Sequence, residues 1–262
     1  MLLIEGPKFS GFDFTPGVSS AYEAQGEPFY INNRRILLAS KQDSLEPRGD
    51  GEQLEDEPLS HTSKTAKSVW DCGAGQGLSS FSAAALGAEV IITDVETAVP
   101  SLQQGAHLNG LSEPQVRVRA LDWMNHAQGV QDILGSLRKP SQDTSKKTLD
   151  YILASDVIWV DFLIAPLVNT IAQLMQISNE RRDSLLDEDD TRTEAASTSP
   201  VLILAHQSRS ARCDNMFFDS LDALGLQRKK VQLDGHGTDE DAVDLDSKYR
   251  KTNLAIWKVW RE

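Results

Sequence analysis

The 262-residue chain predicts an α/β fold: a mostly parallel sheet of seven strands whose last strand is antiparallel, with helices on both faces. Three observations predict it. From Ser68 onward, short β-branched runs alternate with longer amphipathic runs. A glycine-rich turn, DCGAGQG, closes the first of the short runs, where a strand of such a sheet hands over to a helix. The closing run TNLAIWKVW follows its predecessor with an acidic stretch but no helical pattern between them. Those last two strands should therefore pair antiparallel, because a parallel crossover needs more helix.

The strands are expected at Ser68–Cys72, Glu89–Thr93, Gln115–Ala120, Tyr151–Ala154, Val201–His206, Gln227–Leu233 and Asn253–Trp260. After the first comes SSFSAAALGA, after the second ETAVPSLQQGAHLNG, after the fourth FLIAPLVNTIAQLMQ, and after the fifth CDNMFFDSLDALG. In the last of these helical patterns Phe217, Leu221 and Leu224 recur on one face at three- and four-residue spacing. No internal repeat is present.

A formal net charge of -13 ordinarily disfavours a nucleic-acid partner, but the charge is concentrated. Residues 43–60, 180–194 and 234–246 carry -6, -4 and -6, which leaves the rest of the chain at +3. The first two, extended as SLEPRGDGEQLEDEPLSHTS and ERRDSLLDEDDTRTEAASTSP, are rich in Ser, Asp, Glu and Pro and poor in aromatics. Too little apolar surface is available there to offset the entropy of ordering, so both are expected to be disordered, the second over about 178–199. The expected organisation is residues 1–67 as an N-terminal segment with a strand pair and an acidic stretch, and 68–262 as the α/β domain. No apolar run spans a bilayer, and MLLIEGPKFS has neither a basic n-region nor a long h-region, so a cytoplasmic protein is expected, with the nucleus as the other open compartment. Two cysteines, Cys72 and Cys213, make no disulfide framework or zinc site, and the five histidines show no metal-ligand spacing.

Gly73, Gly75 and Gly77 imply a ligand that the backbone must approach closely. A triphosphate loop would end in Gly-Lys-Ser/Thr, whereas Leu78 and Ser79 follow Gly77. The dinucleotide fingerprint is G-x-G-x-x-G, but here the spacing is G-x-G-x-G and Asp71 stands just upstream, where its charge would repel a pyrophosphate. Beside the ammonium and sulfonium of S-adenosylmethionine the same carboxylate is favourable. EVIITD ends at Asp94, nineteen residues after Gly75, where an acid can accept both ribose hydroxyls of an adenosine. It can equally cap the next helix. Leu121, Asp122 and Trp123 bring a hydrogen-bonding acid and a flat indole to the adenine, with a core tryptophan as the alternative.

Together, DCGAGQG, IITD, ALDW and LDYILASDVIW resemble the seven-strand S-adenosylmethionine-dependent methyltransferases, and within them the family-16 protein lysine methyltransferases. LQQGAHLNG and LILAHQSRSARCDNMFFDSL extend the resemblance from about Ser68 to the C-terminus. It implies a Rossmann-like sheet and S-adenosyl-L-methionine as cofactor. Gly73, Ala74 and Gly75 would line the methionine end, Asp94 would hold the ribose, Trp123 would lie at the adenine and Ser155 beside the cofactor, with Asp71, Gly77 and Asp122 as further cofactor-binding residues. The family's D-x-x-Y/F hallmark appears as Asp156, Val157, Ile158, Trp159, with an indole in the last place. As acceptor residues, Trp159 would wall and attract a lysine side chain through its ring face, and Asp156 would orient the amine. The alternative for Trp159 is a lip residue packed on FLIAPLVNTI. Residues 9–37 suggest the family's N-terminal strand pair, whereas Lys41–Lys67 is polar and acidic where the family carries an apolar, Trp-containing lid helix. The expected activity is methylation of a lysine on a protein partner by a monomer, without membrane, nucleic-acid or metal involvement. The alternatives are a methyltransferase for small molecules or nucleic acid, and an interaction protein that has lost turnover.

Overall fold

The computed structural model describes residues 30–31, 34–36, 66–136, 148–186, 199–231 and 253–261. Two short strands, β1 (Tyr30–Ile31) and β2 (Arg34–Arg35), pair antiparallel. The main sheet then builds in order: β3 (Ser68–Cys72), helix α1 (Leu78–Ala85), β4 (Glu89–Asp94) and, through the 3-10 turn Glu96–Ala98, α2 (Val99–Leu108). β5 (Val116–Ala120) leads through the turn Trp123–Asn125 into α3 (His126–Ser136), followed by β6 (Tyr151–Ser155), α4 (Asp161–Leu186), β7 (Val201–Gln207), α5 (Ala211–Ala223), β8 (Gln227–Lys230) and β9 (Leu254–Trp260).

The seven strands lie in the order β5-β4-β3-β6-β7-β9-β8. β3 to β7 pair in parallel, and β9 runs antiparallel to both its neighbours. The predicted Rossmann-like sheet with an antiparallel last strand is what the chain forms. The carboxyl ends of β3, β4, β5, β6 and β7 share one edge. The chain winds outward from β3 to β5 and then restarts on the other side of β3, so a topological switch point opens between β3 and β6.

Alternation along the strands feeds two cores. Val69, Val90, Ile92, Val116 and Val118 point to one face, where they pack with Phe81 and Ala84 of α1 and Leu102 and Ala106 of α2. Trp70, Cys72, Ile91, Ile152, Ala154, Leu202 and Leu204 point to the other, against Val130 and Ile133 of α3, Leu167, Ile171 and Leu174 of α4, and Phe217 and Leu221 of α5. A sheet covered on both faces explains why the inner strands β3, β4, β6 and β7 read as near-continuous apolar runs.

Three details differ from the sequence reading. Helix α3, HAQGVQDILGS, was not among the expected helices: two glycines and a polar surface mask its buried Val130, Ile133 and Leu134, which follow one another at three and one residues. The segment read as disordered from about 178 is helical as far as Leu186. Its last turns are tied down, since the Ser178 hydroxyl accepts the Leu149 N–H at 2.9 Å and Arg182 Nη2 donates to the Leu149 carbonyl at 3.0 Å. β8 ends at Lys230, with Val231 N–H still donating to the Ile256 carbonyl at 2.8 Å. The acidic stretches 43–60 and 234–246, residues 187–194, and residues 41–65, where the family's lid helix would lie, are outside the described residues. No helix among the described residues is long and apolar enough to cross a membrane.

Candidate active site

Three positive φ angles shape the turn after β3: 91° at Gly73, 59° at Gly75 and 85° at Gly77. Gly73 and Ala74 donate to the Thr93 carbonyl at 3.0 and 3.1 Å, which fastens the turn to the end of β4. A Cβ on Gly73 would stand 2.7 Å from the Trp123 ring and 3.1 Å from Val157 Cγ1, and one on Gly77 would stand 2.7 Å from the Phe81 ring. A Cβ on Gly75 would meet nothing within 4 Å. The middle glycine therefore faces open space, while its neighbours are packed from above.

Asp94 completes the turn. Its Oδ2 accepts the Gly75 N–H at 2.7 Å and its Oδ1 accepts the Val95 N–H at 2.7 Å. The helix-capping alternative is not realised, because no side chain caps the turn at Glu96–Ala98. Each carboxylate oxygen keeps a second lone pair. Asp122 accepts the Met124 N–H at 2.9 Å and so caps the turn that carries Trp123. Trp123 is partly buried and lies over Gly73. Burial and the neighbouring Asp71 push the Cys72 thiol far above its ordinary range, so it stays un-ionised.

Asp71 is placed differently from an acid lining an open cleft. It is 1% exposed, enclosed between β3 and α1, with the Ser80 hydroxyl on Oδ2 at 2.5 Å and no partner for Oδ1. Burial raises its pKa from 3.8 to about 7, against the opposing Ser80 hydrogen bond.

Across the switch point, Ser155 ends β6 and Asp156 follows with φ 54°, an uncommon left-handed conformation for a residue with a side chain, held by its N–H on the Ala205 carbonyl at 2.9 Å. Val157 reaches over Gly73, so the turn that starts at Asp156 abuts the glycine turn. Trp159 is 51% exposed, which is compatible both with an acceptor wall and with a lip residue beside α4. Two participants were missed by sequence. Val157 is one. The other is Arg209, beyond β7, which donates to both Asp156 oxygens through Nε (3.3 Å) and Nη2. Arg212 Nη2 sits 3.2 Å from Asp161 Oδ2.

These residues fit S-adenosyl-L-methionine on two counts. Open space lies above Gly75 next to an acid with spare acceptor capacity, and a flat indole is packed on the first glycine. Among solved structures, the chain resembles a precorrin-6y C5,15-methyltransferase from Geobacter metallireducens (10% identity over 75% of this chain and 82% of that one, TM-score 0.43). It also resembles an rRNA methylase from Streptococcus thermophilus (11%, 75% and 87%, TM-score 0.43) and a SAM-dependent methyltransferase from Agrobacterium tumefaciens (18%, 76% and 57%, TM-score 0.38). Likeness this distant says nothing about the substrate. The family model described as lysine methyltransferase matches residues 44–223, well over half of the chain and every candidate site residue. The protein belongs to the lysine methyltransferase family and is a methyltransferase whose methyl donor is S-adenosyl-L-methionine.

Proposed function

We propose that the protein transfers a methyl group to a lysine side chain of another protein. The observation that carries this reading is the contact of the Asp156–Trp159 turn with the glycine turn at the switch point, where Val157 lies 3.1 Å from the Cβ position of Gly73. An acidic residue and a half-exposed indole thus stand at the rim of the candidate cofactor site. Asp94 would take the ribose hydroxyls, the Gly73–Gly75 backbone the methionine end, and Asp122 with Trp123 the adenine, with Ser155 beside them. When bound, the cofactor supplies a sulfonium-activated methyl group: the amine lone pair forms the new N–C bond as the C–S pair returns to sulfur.

Such an in-line displacement needs alignment more than strong acid-base chemistry. An indole face attracts an ammonium by roughly 0.5 to 2 kcal/mol, depending on desolvation, and offers a flat wall once the amine is neutral. The proton has to leave first, since a lysine with a reference pKa of about 10.4 carries no free lone pair at neutral pH. Apolar walls such as Val157 and Trp159 lower that value by disfavouring the charged form. Incubation of the protein with methyl-labelled S-adenosyl-L-methionine and a cell extract tests the reading. Label is expected on lysines in one or a few protein bands. Label confined to RNA or to small metabolites overturns it.

A further inference from the structure

The turn from Asp156 to Asp161 is tied at both ends to one short stretch of chain. Asp156 is held by two nitrogens of Arg209, and Asp161, which opens α4, by Arg212 at 3.2 Å. Two guanidinium groups three positions apart thus bracket Trp159. Asp156 and Arg209 are 45% and 49% exposed. Ion pairs that exposed contribute little to stability, so a two-nitrogen clamp on a carboxylate in the left-handed region needs another reason.

We propose that Arg209 is a positioning residue of the acceptor site: it occupies Asp156, so that the rim meets the incoming lysine as a neutral pair and admits the free amine in place of the ammonium. The inference rests on the lysine reading above. A bare carboxylate beside a lysine favours the charged form of the amine and raises its pKa. That would bind the acceptor more tightly but hold it protonated. With Arg209 on both oxygens the attraction is largely cancelled. The ammonium passes its proton to water, the lone pair attacks the methyl carbon, the C–S electron pair goes to sulfur, and a methylated ammonium leaves. The neighbouring ionisable groups are engaged elsewhere: Asp161 with Arg212, and Asp214 with His206 Nε2 at 2.8 Å and the Ser208 hydroxyl at 2.5 Å. Among the described residues, Arg209 is therefore the cation that sets the charge at Asp156.

The test compares the parent chain with Arg209→Ala, Arg209→Gln and Arg209→Lys. Each is assayed with labelled cofactor and serial dilutions of the same extract, following the labelled protein bands from about pH 6.5 to about pH 9.5. Loss of the charge should lower the apparent KM about threefold, lower the limiting rate near pH 7 about tenfold, and move the acid limb of the rate up by about one pH unit. Arg209→Gln keeps much of the side chain's bulk and must show the shift even if Arg209→Ala folds poorly, and Arg209→Lys should keep the parental limb. A parental acid limb in Arg209→Gln, or a raised KM without a moved limb, overturns the proposal alone. Failure of the parent to label any protein overturns the lysine reading and this proposal with it.

Discussion

Asp94 holds the glycine turn and the start of the next element at once, through the Gly75 and Val95 N–H groups. Removing its carboxylate should therefore cost twice, in the loop and in the ribose contacts, at about 1.5 to 3 kcal/mol for each charge-assisted bond to the ligand. Asp94→Ala is expected to raise the dissociation constant for S-adenosyl-L-methionine at least about tenfold by calorimetry. Trp159→Ala should leave that constant within a few-fold yet lower turnover about a hundredfold, because only the acceptor loses its alignment. Trp159→Phe or Trp159→Tyr should keep most of the activity, and full turnover in Trp159→Ala would place the acceptor channel elsewhere. Asp71 gives a pH signature instead. Its folded pKa of about 7 lies above the ordinary 3.8, so the folded chain binds this proton more tightly than the unfolded one. The associated stability is present below about pH 4 and is lost as the pH rises through about 7. Asp71→Asn should therefore gain on the parent in denaturant titrations as pH climbs from 5 to 8, by up to about 3 kcal/mol. A difference that does not vary with pH would mean the carboxyl ionises normally.

At the level of elements, the glycine turn separates two kinds of constraint. Gly73 and Gly75 both have positive φ, but only Gly73 has an indole 2.7 Å from its Cβ position. An alanine pays backbone strain of roughly 1 to 2 kcal/mol at either position, and at Gly73 a clash of about 1 to 3 kcal/mol in addition. Gly73→Ala should melt clearly lower than Gly75→Ala, whereas both should weaken cofactor binding. Equal melting temperatures would mean that Trp123 does not rest on the turn. The elements also show what the sequence made legible. Strands β3, β4, β6 and β7 were readable because burial on both faces leaves uninterrupted apolar runs, and the carboxyl-edge position of Asp94 and Asp156 followed from where those runs stop. Helix α3 hid behind its glycines. The last turns of α4 hid behind Glu180, Arg181, Arg182 and Asp183, whose charge suggested a solvated loop although Arg182 reaches back to Leu149. Arg209 was quoted in a motif without a role, because its partner lies 53 residues away and only the adjacency of β6 and β7 brings the two together.

For the molecule as a whole, the -13 charge resides largely in three stretches, and the described body has a different character. Both outermost strands are basic, with Arg117 and Arg119 on β5 and Arg228, Lys229 and Lys230 on β8. Charged edges discourage sheet-to-sheet pairing between copies. The position of β9 has a consequence for synthesis. β9 enters the sheet between β7 and β8, so the strand of this sheet that is made last is an interior one. Until Leu254–Trp260 emerges, one edge of VLILAHQ presents unpaired N–H and C=O groups and β8 has nothing to join. The nascent chain must carry that unfinished border through the translation of the whole acidic stretch at 234–246, the interval when a neighbouring chain could most readily dock there. Any premature stop before Leu254 would make that interval permanent and remove two strands for the loss of one.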